Sequence, residues 1–192
     1  MTNLNILKLK RGIVNSGAIF TNGQLIGTDV THRVKTLREL SGIFEDQTAF
    51  ENMKGDQPIY EVDSWLPVQQ GTEGGLFFGL TLLYAGRVGD EYFMTKGHFH
   101  AIENRAEYYW GLEGEGILLL MDKKRKIRAE YMFPGSLHYI PGYTGHRVVN
   151  IGTGKLKFGA CWPSDAAYNY DIIMNEGFSR RVKIIEGKPS LI

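Results

Sequence analysis

The chain has 192 residues, of which 43% are hydrophobic and 22% charged, the ordinary usage of a single globular domain with a substantial core. Lys and Arg number 22 against 21 Asp and Glu, so the net charge is +1, and no basic stripe or long charge run is present. This balance excludes a general nucleic-acid binder and a membrane-surface binder.

The location of the protein is indicated by two further features. Residues 1–10 lack the apolar run of a signal peptide, and no stretch approaches the length of a membrane span. Cys161 is the only cysteine, which excludes an intrachain disulfide and fits a reducing compartment. We therefore expect a cytoplasmic protein that contacts neither membrane nor nucleic acid.

The predicted elements begin with a helix and continue as strands. Spaced apolar residues predict a short amphipathic helix over 31–40, before Ser41 and Gly42. From there on, short runs of Tyr, Phe, Val, Ile and Leu recur between glycines, which is typical of a β-sandwich or barrel. These runs predict strands at 58–65, 76–84, 91–95, 106–112, 115–121, 127–132, 136–140, 146–150 and 155–162.

The loops and the C-terminal end can also be assigned. The charged run 122–126 lies between two predicted strands and is expected to form a solvated hairpin loop. A helix is predicted over 171–176, ended by Gly177, with a last strand over 180–185. The fold class expected from these elements is all-β with minor helices near the two ends.

Four side chains form the pattern that carries most of the chemistry. His98 and His100 are spaced i and i+2, so on a strand they point to the same face. Glu107 follows seven residues later, and His146 begins a second β-rich segment. Three neutral imidazoles and one carboxylate suit Fe, Mn, Co, Ni or Zn, and suit Ca or Mg poorly. The pattern predicts a mononuclear transition-metal site.

The frame of glycines and prolines around these four residues resembles the paired motifs of the cupin superfamily. Gly114 closes the first block, and Gly135, Pro141, His146 and Asn150 form the second. In that superfamily the first block supplies two His and a Glu, and the second supplies one His. Two departures are visible: six residues separate His100 from Glu107, where most cupins have three or four, and Tyr143 replaces a usual Gly.

The longer spacing and the residues of the motifs resemble those of one subfamily, the cupin-type glucose-6-phosphate isomerases. The resemblance extends from about residue 59 to residue 179. It rests on the segments Glu91-Tyr-Phe-Met-Thr-Lys-Gly-His-Phe-His100, Asn104-Arg-Ala-Glu107, Pro141-Gly-Tyr-Thr-Gly-His-Arg-Val-Val-Asn-Ile-Gly152, Pro163-Ser-Asp-Ala166 and Glu176-Gly-Phe-Ser179.

The resemblance implies a fold and a division of the chain. The fold is the cupin barrel, a double-stranded β-helix or jelly roll. The whole chain, 1–192, would be one cupin domain, with an N-terminal extension at 1–55, a metal-binding barrel core at 56–165 and a C-terminal helix and strand at 166–192. The family also implies a homodimer to which the N-terminal strands contribute.

The resemblance implies a function as well: the metal-dependent interconversion of glucose 6-phosphate and fructose 6-phosphate in glycolysis and gluconeogenesis. His98, His100, Glu107 and His146 would bind one divalent metal per subunit, with Fe favoured and Mn, Zn, Ni or Co as alternatives. Glu107 and His146 would be the catalytic residues. The residues expected to contact the sugar phosphate are Tyr60, Thr81, Thr95, Gly97, Tyr109, Tyr143 and Tyr170. Tyr168 stands where the family often has a histidine.

Two mechanisms remain open at this stage. In the first, Glu107 is a base that moves a proton between carbons 2 and 1 of the open-chain sugar through an enediolate. A carboxylate that binds a cation is a weaker base than a free one, because the cation stabilises its ionised form. In the second mechanism Glu107 is therefore only a ligand, and a hydride shifts directly between the two carbons.

Other functions of the same scaffold also remain open, since cupins host many activities. Another metal-dependent cupin enzyme, such as a dioxygenase or a sugar-phosphate epimerase, could use the same four ligands. A non-enzymatic sugar-binding cupin belongs to a different class and would not depend on the metal for turnover. A storage role would need none of the four ligands. His32 and His138 are expected to be structural, and Asn150 to fix a turn.

Overall fold

The computed structural model describes residues 18–192 except Asn22 and Thr28. The expectation about residues 1–10 therefore lies outside the described residues. A 3-10 helix lies at Leu37–Leu40. The other elements, in chain order, are β1 Ala18–Thr21, β2 Gln24–Gly27, β3 Val30–Thr36, α1 Gln47–Glu51, β4 Pro58–Trp65, β5 Leu76–Leu83, β6 Arg87–Val88, β7 Glu91–Tyr92, β8 Phe99–His100, β9 Glu107–Glu113, β10 Gly116–Met121, β11 Ile127–Met132, β12 Leu137–Ile140, β13 Gly145–Asn150, β14 Leu156–Pro163, β15 Tyr168–Asn169, α2 Asp171–Glu176, β16 Val182–Ile185 and β17 Lys188–Leu191.

Two antiparallel sheets form the barrel. The larger has six strands in the order β12-β9-β14-β5-β4-β3, and the smaller has the order β11-β10-β13. Two isolated antiparallel bridges, Met94 with Val149 and His98 with His146, attach the segment 94–98 to β13. Residues that alternate along β9 and β12 alternate between buried and exposed, because one face of the sheet looks inward. The expected all-β cupin barrel with minor helices is confirmed.

The described residues also form three other sheets. β8 pairs with β15, and β16 pairs with both β17 and β7. β1 pairs with β2 as a hairpin. No helix among the described residues is long and apolar enough to cross a membrane.

The prediction of a helix over 31–40 is wrong in its first part. Residues 30–36 form β3, which pairs along its length with β4, and only Leu37–Leu40 turn, as a 3-10 helix. The spacing of Leu37 and Leu40 imitates a helix because both are buried by that single turn. Val30, Thr31 and Val34 are β-branched and suit a strand. β3 also extends the barrel sheet into the segment expected to be an extension.

The predicted strands from 58 to 162 match the structure within about two residues, except one. The strand expected at 91–95 is only Glu91–Tyr92, followed by the bridge at Met94. The strand expected over 180–185 is β16, which begins at Val182 and is followed by one further strand, β17. The strands β1, β2, β6, β8, β15 and β17 and the helix α1 were not predicted, most of them because they are too short for a period to be visible.

Three smaller predictions are confirmed. The charged run 122–126 connects β10 with β11 as a hairpin loop. α2 ends at Gly177, whose φ of 68° is a conformation that glycine adopts at little cost. The Asn150 side chain, fully buried, donates to the carbonyl oxygens of Leu83 and Gly154 at 2.9 Å and accepts from the Gly152 N–H at 3.0 Å, so it holds the turn after β13.

Candidate metal centre and substrate cavity

The four predicted metal ligands converge between the two sheets. His98 and His146 lie directly opposite each other across an antiparallel bridge, which their backbones close with hydrogen bonds of 3.2 and 3.0 Å. His100 follows on β8, and Glu107 begins β9 in the six-stranded sheet. One nitrogen or oxygen atom of each residue lies within 4.8 Å of the others. Strand pairing therefore brings together residues up to 48 positions apart.

The ligand atoms have no hydrogen-bond partner among the described residues. Nε2 of His98, His100 and His146 and Oε1 of Glu107 are all buried without one. Oε1 of Glu107 nevertheless lies 2.6 Å from Nε2 of His146 and 3.2 Å from Nε2 of His100. Buried polar atoms are normally hydrogen-bonded, so four unsatisfied atoms that face one point fit a cation between them.

The second nitrogen of two histidines is held by the backbone. Nδ1 of His100 lies 2.8 Å from the carbonyl oxygen of Arg105, and Nδ1 of His146 lies 3.3 Å from that of Thr144. An N–H that donates to a carbonyl leaves the lone pair on Nε2, the atom that faces the cluster. Both rings are therefore oriented and in the tautomer that a metal ligand requires.

The charge states of the cluster also suit a cation. Burial lowers the pKa of His98 well below its ordinary value, so this imidazole is neutral. Burial acts to raise the pKa of Glu107, but the neighbouring histidines, His146 first, hold it well below its usual range. A neutral imidazole and an ionised carboxylate are the forms that bind a metal.

A cavity of about 620 Å³ opens above the cluster. His98, Glu107 and His146 line it, whereas His100 lies behind them. Six of the seven residues expected to contact substrate also line the cavity: Tyr60, Thr81, Thr95, Gly97, Tyr109 and Tyr170. Their roles as substrate contacts stay a prediction.

Tyr143 is the exception among the expected substrate contacts. It is 55% exposed, is not among the residues that line this cavity, and has a φ of 61° in the loop before β13. Its backbone N–H donates to the carbonyl oxygen of Glu103, and its ring lies under the ammonium group of Lys123. The structure therefore places Tyr143 on the outer surface, away from the metal cluster.

The cavity wall is rich in neutral hydroxyl groups. Burial raises the pKa of Tyr60 and raises that of Tyr109 well above its ordinary value, so both phenols remain protonated. Burial likewise raises the pKa of Tyr168, whose ring lies 4.6 Å from that of His98. Protonated phenols can donate to the oxygen atoms of a sugar or a phosphate group.

Two cations of the wall were missed by sequence reasoning. Thr31, Arg33 and Lys35 alternate along β3, so all three face the cavity. The prediction of a helix over 31–40 hid this period of two. With Lys96, three cations line a cavity in which Glu107 is the only carboxylate among the described lining residues. The cavity is therefore suited to an anionic ligand.

Two other histidines are structural, as expected. His138, 5% exposed, contacts Glu130 through Nδ1 at 2.8 Å and Ser136 through Nε2 at 2.9 Å. Nδ1 of His32 lies 2.7 Å from Asp63 on the outer side of the barrel sheet. Both rings are satisfied by protein groups outside the metal cluster.

The barrel and its cluster of three histidines and one glutamate define the class of this protein as a cupin with a candidate mononuclear metal site. The sequence model of the family described as glucose-6-phosphate isomerase (GPI) matches residues 34–190. The chain therefore belongs to the glucose-6-phosphate isomerase family, in its cupin form, and the family is one of enzymes.

Individual relatives agree with this assignment. A protein of Thermococcus litoralis named glucose-6-phosphate isomerase is 41% identical over 157 residues, which cover 81% of this chain and 82% of the relative. A protein of Pyrococcus furiosus with the same name is 42% identical over 151 residues, covering 78% and 79%. The oxalate decarboxylase structure from Bacillus subtilis is 20% identical, with a TM-score of 0.44 over 57% of this chain and 26% of that chain. Nothing about activity follows from so partial a likeness.

Proposed function

We propose that the chain interconverts glucose 6-phosphate and fructose 6-phosphate, as a cytoplasmic enzyme of glycolysis and gluconeogenesis that uses one divalent metal per subunit, with iron as the preferred ion. The observation that carries the proposal is a buried set of unsatisfied ligand atoms at the base of a cationic cavity, in a chain of this family. Cell fractionation that recovered the protein in a membrane or periplasmic fraction would contradict the location.

The cavity supports a phosphorylated substrate over a small neutral one. A phosphate dianion is attracted by a wall of one charge sign in a low-dielectric cleft. Arg33 and Lys96 supply that sign, together with Lys35, which also pairs with Glu39 at 2.8 Å. Thr81 on β5 and Thr95 in the segment 94–98 supply hydroxyl groups. A dioxygenase acting on a neutral substrate would have no use for these cations.

The roles of the residues follow from where they lie. When bound, a divalent cation would withdraw charge from the two substrate oxygens at carbons 1 and 2 and favour the enediolate. Tyr109, two residues after Glu107 on the same face of β9, can donate to a sugar hydroxyl. Glu107 is the only carboxylate among the described residues that line the cavity. We propose that its oxygen takes the proton from carbon 2 and returns it to carbon 1, while the hydroxyl proton on oxygen 2 moves to oxygen 1.

The direct test is a coupled assay that follows glucose 6-phosphate formation from fructose 6-phosphate. We expect turnover with the phosphorylated sugar and none with fructose, because the cations of the wall act only on the phosphate. A folded, metal-loaded protein without activity on either sugar would rule out the proposed reaction and favour another cupin enzyme or a sugar-binding role.

We further propose that the chain forms a homodimer in which the outer face of the six-stranded sheet contributes to the interface together with the N-terminal strands. Tyr108 and Tyr139 lie side by side on that face, 48% and 52% exposed, with ring centroids 5.3 Å apart. Leu137, opposite Trp110 in the neighbouring pair, is 68% exposed. A contiguous exposed apolar patch of this kind is typical of a protein interface.

Light scattering at micromolar concentration should give twice the chain mass of 21.7 kDa. A Tyr139→Lys variant should shift the mass towards the monomer, because a charge buried in the interface costs free energy. The control is Glu186→Lys, a charge change in the loop between β16 and β17, which should leave the mass at that of the dimer. A monomer from the unmodified chain would show that this face is not an interface.

A further inference from the structure

Arg147 is a buried cation that the proposed reaction does not yet use. It lies on β13 next to His146, on the opposite face of the strand, and is 3% exposed. Its Nη2 and Nε donate to the carbonyl oxygen of Lys96 at 2.7 and 3.3 Å, and its guanidinium stacks on the ring of Phe178 at 4.5 Å. Burying a guanidinium is costly, so its place behind the cavity wall requires a reason.

The charge of Arg147 is only partly compensated. Its guanidinium carries a positive charge at neutral pH, as arginine does in proteins. The Glu91 carboxylate is bound by Arg181 at 2.7 Å and by the N–H of Glu45 at 3.0 Å. Glu91 is thus paired with Arg181, and among the described residues no carboxylate forms a hydrogen bond or an ion pair with Arg147, so direct contact does not neutralise its positive charge.

The peptide between Lys96 and Gly97 connects this charge with the cavity. In a trans peptide the C=O and the N–H point in opposite directions. The Lys96 carbonyl points to Arg147, so the N–H of Gly97 points away from it, and Gly97 lines the cavity whereas Arg147 does not.

The segment has no freedom to shift. Gly97 has a φ of 75°, and a Cβ there would lie 2.9 Å from the carbonyl oxygen of His146 and 3.1 Å from Cβ of Arg147. On the other side, Thr95 exchanges hydrogen bonds with Val148, at 2.9 Å from its N–H and 3.1 Å to its Oγ1. The wall segment 95–97 is therefore fixed by β13 along its whole length.

We infer that Arg147 is a positioning residue for the phosphate group of the substrate. Through the Lys96 carbonyl it holds the Lys96–Gly97 peptide with its N–H toward the cavity, and its charge polarises that peptide into a stronger donor. The inference rests on the proposed function, because it needs a phosphorylated ligand in the cavity. It assigns Arg147 to binding of the phosphate rather than to the proton transfer.

The experiment compares Arg147→Met and Arg147→Lys with the unmodified enzyme, and uses Arg128→Met as the control. Arg128 is an arginine of β11 that pairs with Glu130 at 2.9 Å and is not among the residues lining the cavity. For each protein we would measure KM and kcat for fructose 6-phosphate, the inhibition constant of inorganic phosphate, the metal content and the melting temperature.

For Arg147→Met we expect the KM and the phosphate inhibition constant to rise together by about 10- to 100-fold, the effect of weakening a charge-assisted hydrogen bond. The metal content should be unchanged and kcat should stay within about threefold, since a group that acts only in binding affects KM alone. Arg147→Lys keeps the charge but loses the two-pronged set of N–H donors, so KM and the phosphate inhibition constant should rise less than in Arg147→Met. If Arg147→Met does not fold, Arg147→Lys alone carries the test.

A folded Arg147 variant with normal metal content and an unchanged phosphate inhibition constant would overturn the inference. A loss of metal without a change in that constant would also overturn it, because Arg147 would then act through His146. If the unmodified enzyme neither turns over nor binds fructose 6-phosphate in a calorimeter, the proposed function fails, and this inference fails with it. If the unmodified enzyme is active and the Arg147 variants change neither KM nor the phosphate inhibition constant, only the inference fails and the proposed function stands.

Discussion

Glu107→Gln is expected to lower kcat by about 10²- to 10⁴-fold, the range that a general base contributes, and to weaken metal binding far less. The amide keeps the shape of the side chain and one oxygen for the metal, but it cannot accept a proton from carbon 2. Three histidines remain to hold the ion. Turnover in the coupled assay and metal content by elemental analysis, measured on the same preparation, separate the two effects.

The matched control is Glu130→Gln. Glu130 is a carboxylate of β11 that also contacts a histidine, His138 at 2.8 Å, but it lies outside the cavity. This variant should keep both turnover and metal. Near-normal activity of Glu107→Gln would show that Glu107 is a ligand only and would favour the hydride shift. Deuterium entering carbon 1 or carbon 2 of the product in D2O would support the proton route, since a direct hydride shift exchanges nothing with solvent.

The metal ligands and most strands could be predicted because their signals are local. An H-x-H pair on a strand points to one face, and runs of β-branched and aromatic residues between glycines mark strand bounds. That His98 and His146 lie directly opposite each other depends on pairing between segments 48 residues apart. The sequence supports it only through resemblance to a family, because no local pattern specifies the register.

The segment 30–40 shows where local reasoning fails. Leu37 and Leu40 are spaced as on a helix, yet the seven strand residues before them pair with β4, and sheet pairing outweighs a weak propensity. The error had a functional consequence, since Arg33 and Lys35 face the cavity only if the segment is a strand. A test of the period of two in Thr31, Arg33 and Lys35 would have found them.

The burial of Arg147 and the exposure of Tyr143 could not be predicted from the sequence for a different reason. Alternation along β13 places Arg147 on the face opposite to His146, where an arginine would ordinarily be solvated. Its burial comes from Phe178, 31 residues further on, which covers that face. Tyr143 is the opposite case, because it is near His146 in sequence but is exposed in the loop before β13. Burial at both positions is decided by contacts between distant segments, and these have no local signature.

Removal of the metal is expected to abolish the isomerase activity completely, and His98→Ala and His146→Ala are expected to lose metal and activity together. The metal affinity of these two alanine variants should fall by more than ~10- to 100-fold, the loss that follows removal of an outer hydrogen-bond partner of a metal site. The loss is larger here because a direct ligand disappears. Activity should return to chelated, unmodified protein when Fe, Mn, Zn, Ni or Co is added back singly, and the most active ion identifies the preferred metal. The alanine variants should not recover at the same metal concentrations.

The control for these variants is His138→Ala, since His138 is another buried histidine of the barrel and its two nitrogens are satisfied by Glu130 and Ser136. This variant should lose about 1–3 kcal/mol of stability, the cost of leaving buried partners unpaired, while it keeps its metal and its turnover. Equal losses of metal in His138→Ala and His146→Ala would mean that general destabilisation explains the effect. Full activity after exhaustive chelation would contradict a catalytic metal site. The four converging unsatisfied atoms would then have no role in catalysis, because the reaction would proceed without the cation.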